Sequence, residues 1–250
     1  MPRFILAFPV VLALAAGPAN AQPMINVDGA PALAAWTTPE FAAFTRATGI
    51  MINLVPSQAG ADILIAPAPF AQIAEHEKRT LPYIPRETAQ VSASLKDDDG
   101  DWTAIALTAL ALAPSGAPPG RTAADALHLL LIHNGSATPP GSPALLMTLA
   151  ANGQAAISFP VSPSGGRETI IIPYFIARLK SGQNPAAAAQ LIDFLLAKPA
   201  QAALPAFAWA LPARTDLAPA SGHFEILEKC LAGIAIYTPD WHRARKSLAG

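Results

Sequence analysis

Apolar and polar positions alternate in short blocks along this chain, and most blocks read as strands or helices. Met24–Val27 is a short apolar run. Thr38-Pro39-Glu40 opens a helical pattern that puts Phe41 and Phe44 on one face, and Gly49 closes it as a C-cap. Ile50–Val55 reads as a strand ending at Pro56-Ser57, and Gly60-Ala61-Asp62 leads into a buried-type strand at Ile63-Leu64-Ile65. Pro67–Arg79 gives a second helix, followed by the proline-locked connector Leu81-Pro82-Tyr83-Ile84-Pro85. This β–α–β–α order with short loops predicts a mostly parallel sheet covered by helices.

The second half continues the alternation. A Pro/Gly-rich loop and a helix over Thr122–Ile132 occupy the interval from Pro114 to Pro140. Ser142 is placed to cap a helix beginning at Pro143, with Leu145, Leu146 and Leu149 inward, Gly153 ending it and Ala155–Phe159 following as a strand. The helix start has two readings: Ser142 only caps it, or the free N–H groups and the hydroxyl hold an anion. From Ile172 a strand runs through a loop into a helix signalled by Asn184 as N-cap and Pro185 in its first turn. Leu191, Ile192, Leu195 and Leu196 lay an apolar stripe on it, leaving Asp193 and Lys198 for the wet side.

The N-terminus changes the expected compartment. Arg3, the apolar run Phe4–Ala16 interrupted by Pro9, and Ala19-Asn20-Ala21 before Gln22 form the three regions of a cleaved secretory signal. The run is too short for the roughly 20 residues of a spanning helix. Residues 1–21 are therefore expected to be removed, leaving a periplasmic protein that starts at Gln22. Charged residues make up 13% of the chain and mean hydropathy is +0.35, both influenced by abundant alanine. A net charge of −1 with scattered basic residues argues against a nucleic-acid partner. The single cysteine, Cys230, cannot form an internal disulfide and reads as a small buried hydrophobe on a helix.

Three passages resemble one family. The run GQNPAAAAQLIDFLLAKPAQ, the helix ending FAAFTRATG before a strand, and the late IYTPDW are similar to segments of periplasmic solute-binding proteins of ABC importers. The branch resembled includes iron(III), 2-aminoethylphosphonate, thiamine and polyamine binders. The resemblance implies a two-lobed α/β type II fold with mixed, mostly parallel sheets flanked by helices. It divides the chain into lobe 1, residues 22–107 and 201–250, and a reduced lobe 2, residues 108–200, which would carry the Asn184 helix. The turn before Trp102 matches the family's approach to its lobe-crossing strand, so Trp102 and Thr103 start the crossing, with Thr108 further along. In the tail, Thr238 caps a final helix begun by Pro239, and Trp241 packs it on lobe 1.

The same resemblance implies capture of a small solute between the lobes and delivery to a membrane permease by a monomer. Neither a cofactor nor covalent chemistry is called for. Ligand-facing candidates are Asp28, Ser57, Gln58, Thr103, Ser142, Ser162, Ser164 and Arg167, from loops near strand ends, with Gly29 and Pro67-Ala68 beside them. Ser142 and the Ser/Gly/Arg loop favour a phosphonate-like anion. Iron-binding relatives use adjacent tyrosines, whereas Tyr83, Tyr174 and Tyr237 are apart in sequence. His128 and His133 are splayed on a helix, and Asp97–Asp101 departs from calcium-loop spacing at Trp102 and Thr108, so no metal site is expected. The sequence has no G-x-S-x-G, H-E-x-x-H or glycine-rich phosphate loop, and no enzyme is expected. The alternatives are a receptor or partner-docking module on the same fold without transport, an iron(III) binder, and a periplasmic hydrolase.

Overall fold

The computed structural model describes residues 23–68, 70–112, 143–145, 159–160, 164, 166–217 and 231–237. Three parallel strands begin the first sheet: β1 (Met24–Asp28), β2 (Met51–Leu54) and β3 (Ile63–Pro67), in the order β2-β1-β3. Two long antiparallel strands, β4 (Thr103–Leu112) and β6 (Glu168–Arg178), extend it, with β6 between β3 and β4. The short strands β5 (Pro143–Leu145), β7 (Leu211–Pro212) and β8 (Ala235–Tyr237) complete the described set.

The eight described strands form one hydrogen-bonded network, and β4 and β6 run through both halves of it, a first sheet around β1–β3 and a second around β5 and β8. Over Thr103–Leu107 and Tyr174–Arg178 they pair between β3 on one side and β7 on the other. Over Leu110–Leu112 and Glu168–Ile170 their outer partners are β5 and β8. Partners change across Ile171–Pro173, where β6 lies against Leu107–Ala109. The cores follow the same division. One cluster joins Ile25, Trp36, Phe44, Tyr174 and Leu195 beneath the first sheet, and another gathers Ala109, Ala111 and Phe159 around the second.

Helix α1 (Ala34–Thr48) starts at Ala34 rather than Thr38, because a single 3-10 turn at Pro31–Leu33 feeds directly into it. The earlier start buries Trp36 completely, with its indole N–H donating to the Ala200 carbonyl at 2.9 Å. Pro39 then lies inside the helix near its start and forfeits one backbone bond. Gly49 closes α1 in the left-handed conformation at φ 74°, as expected. Helix α2 (Phe70–His76) is shorter than Pro67–Arg79. Pro67 is drawn into the ladder opposite Tyr174, and Lys78 turns the chain at φ 56°.

Two expectations are corrected here. Pro143–Leu145 is a strand on β4, not the first turn of a helix capped by Ser142. Pairing along Leu110–Leu112 outweighs the local cap signal, and Pro143, lacking an N–H, fits the first position of an edge strand. The Asn184 helix also belongs to the first core rather than to a second lobe. Helix α3 (Pro185–Leu196) packs Leu191, Ile192, Leu195 and Leu196 against the cluster containing Ile25 and Phe44. Asn184 makes no side-chain cap; its amide donates to the Met24 carbonyl, and its N–H donates to Asp62. Helix α4 (Lys198–Ala208) follows after a 67° bend.

Candidate ligand cleft

Parallel strands β1 and β3 both deliver their C-terminal ends to the side where β4 and β6 leave the first sheet. Asp28 is the last residue of β1, half-buried, and burial raises its carboxyl above the ordinary aspartate range. Beyond it Gly29 and Ala30 turn into the 3-10 segment that starts α1. At the end of β3, the Ala68 N–H donates to the Pro173 carbonyl at 2.9 Å, which ties this loop to the crossing.

A third connection runs beside the two crossing strands. Trp209 ends α4 in the left-handed region at φ 52°, a conformation strained for a non-glycine residue, and packs against both hydrophobic clusters. Leu211–Pro212 then pairs with Ala106–Leu107. Sequence reading missed this segment, since Trp209-Ala210-Leu211-Pro212 carries no periodic signal. Two extended strands and one strained turn thus connect the described parts of the two sheets, an arrangement suited to hinged closure.

The candidate residues do not converge on one point. Thr103 is buried, pairs with Ile176 and has a hydroxyl with no hydrogen-bond partner among the described residues. Arg167 is exposed at the head of β6, nine residues before Ile176, or about 30 Å along an extended strand. Thr103 and Arg167 therefore stand well apart in this arrangement. Ser57 is exposed, and Gln58 accepts a bond from the Ser181 hydroxyl through its backbone carbonyl, beyond the end of β6 remote from the crossing. Ser164 is exposed in a turn before Arg167. Ser142 and Ser162 lie outside the described residues, as do residues 1–22, the 122–132 helix, His128, His133, Cys230 and the segment from Thr238.

Metal chemistry finds little support in the described geometry. Tyr174 is buried opposite Pro67, and burial raises its phenol pKa. Tyr237 pairs with Ile170, four residues away along β6, or about 13 Å. Tyr83 donates its hydroxyl to Asp193 at 2.7 Å, and its pKa is pushed up to about 12, first by burial and then by that carboxylate. Asp97 spends one carboxylate oxygen on the N–H groups of Asp99 and Asp101, organising its own turn. Among the described residues, no group of three or more His, Cys, Asp or Glu is arranged to hold a metal.

No family model matches the chain. A protein of Salmonella typhimurium named "Putative 2-aminoethylphosphonate-binding periplasmic protein" is 23% identical, covering 98% of this chain and 95% of its own length. Its counterpart in Salmonella typhi has the same identity and coverage. The first alignment spans 320 positions against the chain's 250 residues, so the relative carries stretches that this chain lacks. Among solved structures, apo ferric ion-binding protein A of Pasteurella haemolytica superposes with a TM-score of 0.67 at 14% identity, covering 92% of this chain and 95% of that one. The ferric binding protein of Campylobacter jejuni gives 0.64 at 17% identity, covering 90% and 98%. The chain therefore has the two-lobed type II fold of periplasmic solute-binding proteins of ABC importers and is similar to such proteins along nearly its whole length.

Proposed function

We propose that the processed protein, beginning at Gln22, captures a small solute between its two sheets and presents it to the membrane permease of an ABC importer. The observation that carries this reading is the pair β4 and β6, shared by both sheets and changing partners at Ile171–Pro173. Hinging there brings the loops at the ends of β1 and β3 towards the head of β6. Asp28 pairs with Leu64, which pairs with Ala177, five residues beyond Ile172. Arg167 stands five residues before Ile172. The two ionic groups therefore lie at similar reach from the pivot, on opposite jaws.

That arrangement suits a short zwitterion with a cationic end towards Asp28 and an anionic end towards Arg167. An aminoalkylphosphonate has this chemistry, and the Salmonella relatives carry 2-aminoethylphosphonate in their names. Ser164, in the turn before Arg167, is the accompanying described candidate, and Ser142 and Ser162 remain candidates from the sequence. Iron(III) is the weaker reading because Tyr174 is buried, which disfavours its phenolate, and Tyr83 is committed to Asp193.

Thermal shift of the processed protein with 2-aminoethylphosphonate and with ferric citrate tests the ranking, since a ligand selective for the folded state raises the melting temperature. A rise with the phosphonate, lost in Arg167→Ala and Asp28→Asn, is the expected result. A visible ferric–phenolate colour with no phosphonate response would reverse it. No response to any small solute would favour the receptor without transport, a reading supported by the shorter chain.

A further inference from the structure

A second recess lies at the opposite end of the first sheet. It has a volume of about 380 Å³ and is lined by Gln58, Lys78, Arg79, Lys180 and Ser181, with Ala59 and Leu179 beside them. Lys180 stands seven residues beyond Pro173, about 23 Å along extended chain, so this recess is separate from the cleft at the crossing. Its size falls within the roughly 300–1,000 Å³ of small-ligand sites.

The chemistry of the walls has one sign. Lys78 and Lys180 are exposed ammonium groups, and Lys180 spends one proton on the Lys78 carbonyl at 2.8 Å. The left-handed backbone of Lys78, at φ 56°, sets this carbonyl and side chain beside the recess. Arg79 adds a guanidinium, partly neutralised by Glu77 through a hydrogen bond of 2.6 Å. The Ser181 hydroxyl pins the loop with its single proton, shared between the carbonyls of Ala61 at 3.0 Å and Gln58 at 3.2 Å. The Gln58 side-chain oxygen is buried with no hydrogen-bond partner among the described residues.

We infer that this recess is an accessory site for a small oxyanion of the phosphate type, held by Lys78, Lys180 and Arg79. The recess offers several donors and a net positive charge, which matches an oxyanion with several lone pairs. A solute carrying a cationic end would gain less here, because Glu77, the carboxylate next to Lys78 in the chain, is already paired with Arg79.

The test titrates inorganic phosphate into the processed, isotopically labelled protein at low ionic strength while backbone amide resonances are followed. The expected result is saturable shifts at Gln58, Ala59, Lys180 and Ser181, with Lys180→Gln and Lys78→Gln each weakening affinity about tenfold or more. Using two variants separates loss of binding from failure to fold, because Lys78 contributes an exposed side chain and each spectrum reports its own fold. Saturable shifts confined to Gly29 and Ala68 would overturn the site and leave the cleft reading intact. Shifts that never saturate, or affinities unchanged in both variants, would overturn it as well.

Discussion

The bend into the crossing strand depends on one buried amide, and replacing it should unfold the protein measurably sooner. Gln201 on α4 is fully buried, and both polar atoms of its side chain have partners. Its Nε2 donates to the carbonyls of Ile105 and Leu195, both at 2.9 Å, and its Oε1 accepts the Ala213 N–H at 3.0 Å. Ile105 sits where the β4–β6 register slips between Ala104 and Ala106, so Gln201 serves the carbonyl of a bulge. Gln201→Met keeps nearly the same volume, which limits any cavity contribution. It leaves two carbonyls and one N–H without this partner, at about 1–3 kcal/mol for each unsatisfied group. Allowing for partial repair by relaxation and water, the expected loss is about 3–5 kcal/mol, a large share of a typical stability of about 5–15 kcal/mol. Urea unfolding followed by circular dichroism reads it as a midpoint lowered by about 1–2 M, with a slope of about 2–3 kcal/mol/M. A midpoint within about 0.2 M of wild type would show that the amide network contributes no net stability, and the reasoning would fail.

Other substitutions test separate parts of the fold. Gly182→Ala would put its Cβ 2.6 Å from the Asp62 Cα and 2.7 Å from Asp62 Oδ1, which accepts the Asn184 N–H. A loss of about 2–4 kcal/mol from overpacking and the weakened bond is expected by chemical denaturation. Arg214, its side chain only 4% exposed, bonds Asp216, Glu87 and the Leu196 carbonyl. Arg214→Ala should cost about 3 kcal/mol and leave the far-UV spectrum of the folded state unchanged. Asp28 titrates above its ordinary value of 3.8 because burial disfavours its charge. Its relative stabilisation is therefore present below that pH and is lost as pH rises through the higher folded value. Asp28→Asn should have a higher melting temperature than wild type near neutrality, with the advantage shrinking on acidification; a constant offset would count against the burial argument.

Elements with dense local signals were legible in the sequence. Gly49 closed α1 because a left-handed cap is a property of a few neighbouring residues, and the stripe on α3 follows from helical spacing. The Ser142 helix was misread because its local signal lost to pairing with β4, a partner more than 30 residues earlier. Gln201 read as an ordinary polar helix position, and its bonds reach Ile105 and Ala213. The cationic recess was equally hidden: Lys78 and Lys180 meet only after β3, α2 and β6 are assembled.

Strand register decides which candidate residues can act together. By sequence Thr103 is a ligand candidate at the start of a crossing strand, and pairing with Ile176 buries it in the first sheet. Arg167 lies on the other side of the Ile171–Pro173 transition, so sequence proximity to strand ends was no guide to spatial proximity. Asp28, far from Arg167 in sequence, is matched to it in reach from the pivot through the chain of pairings Asp28–Leu64–Ala177. A hinge multiplies small changes in strand twist into large displacements at its jaws and leaves residues near the pivot almost still. Solute-dependent protection should therefore arise at Gly29 and Arg167, while the Ala68 N–H, bonded to the Pro173 carbonyl at the pivot, stays constant.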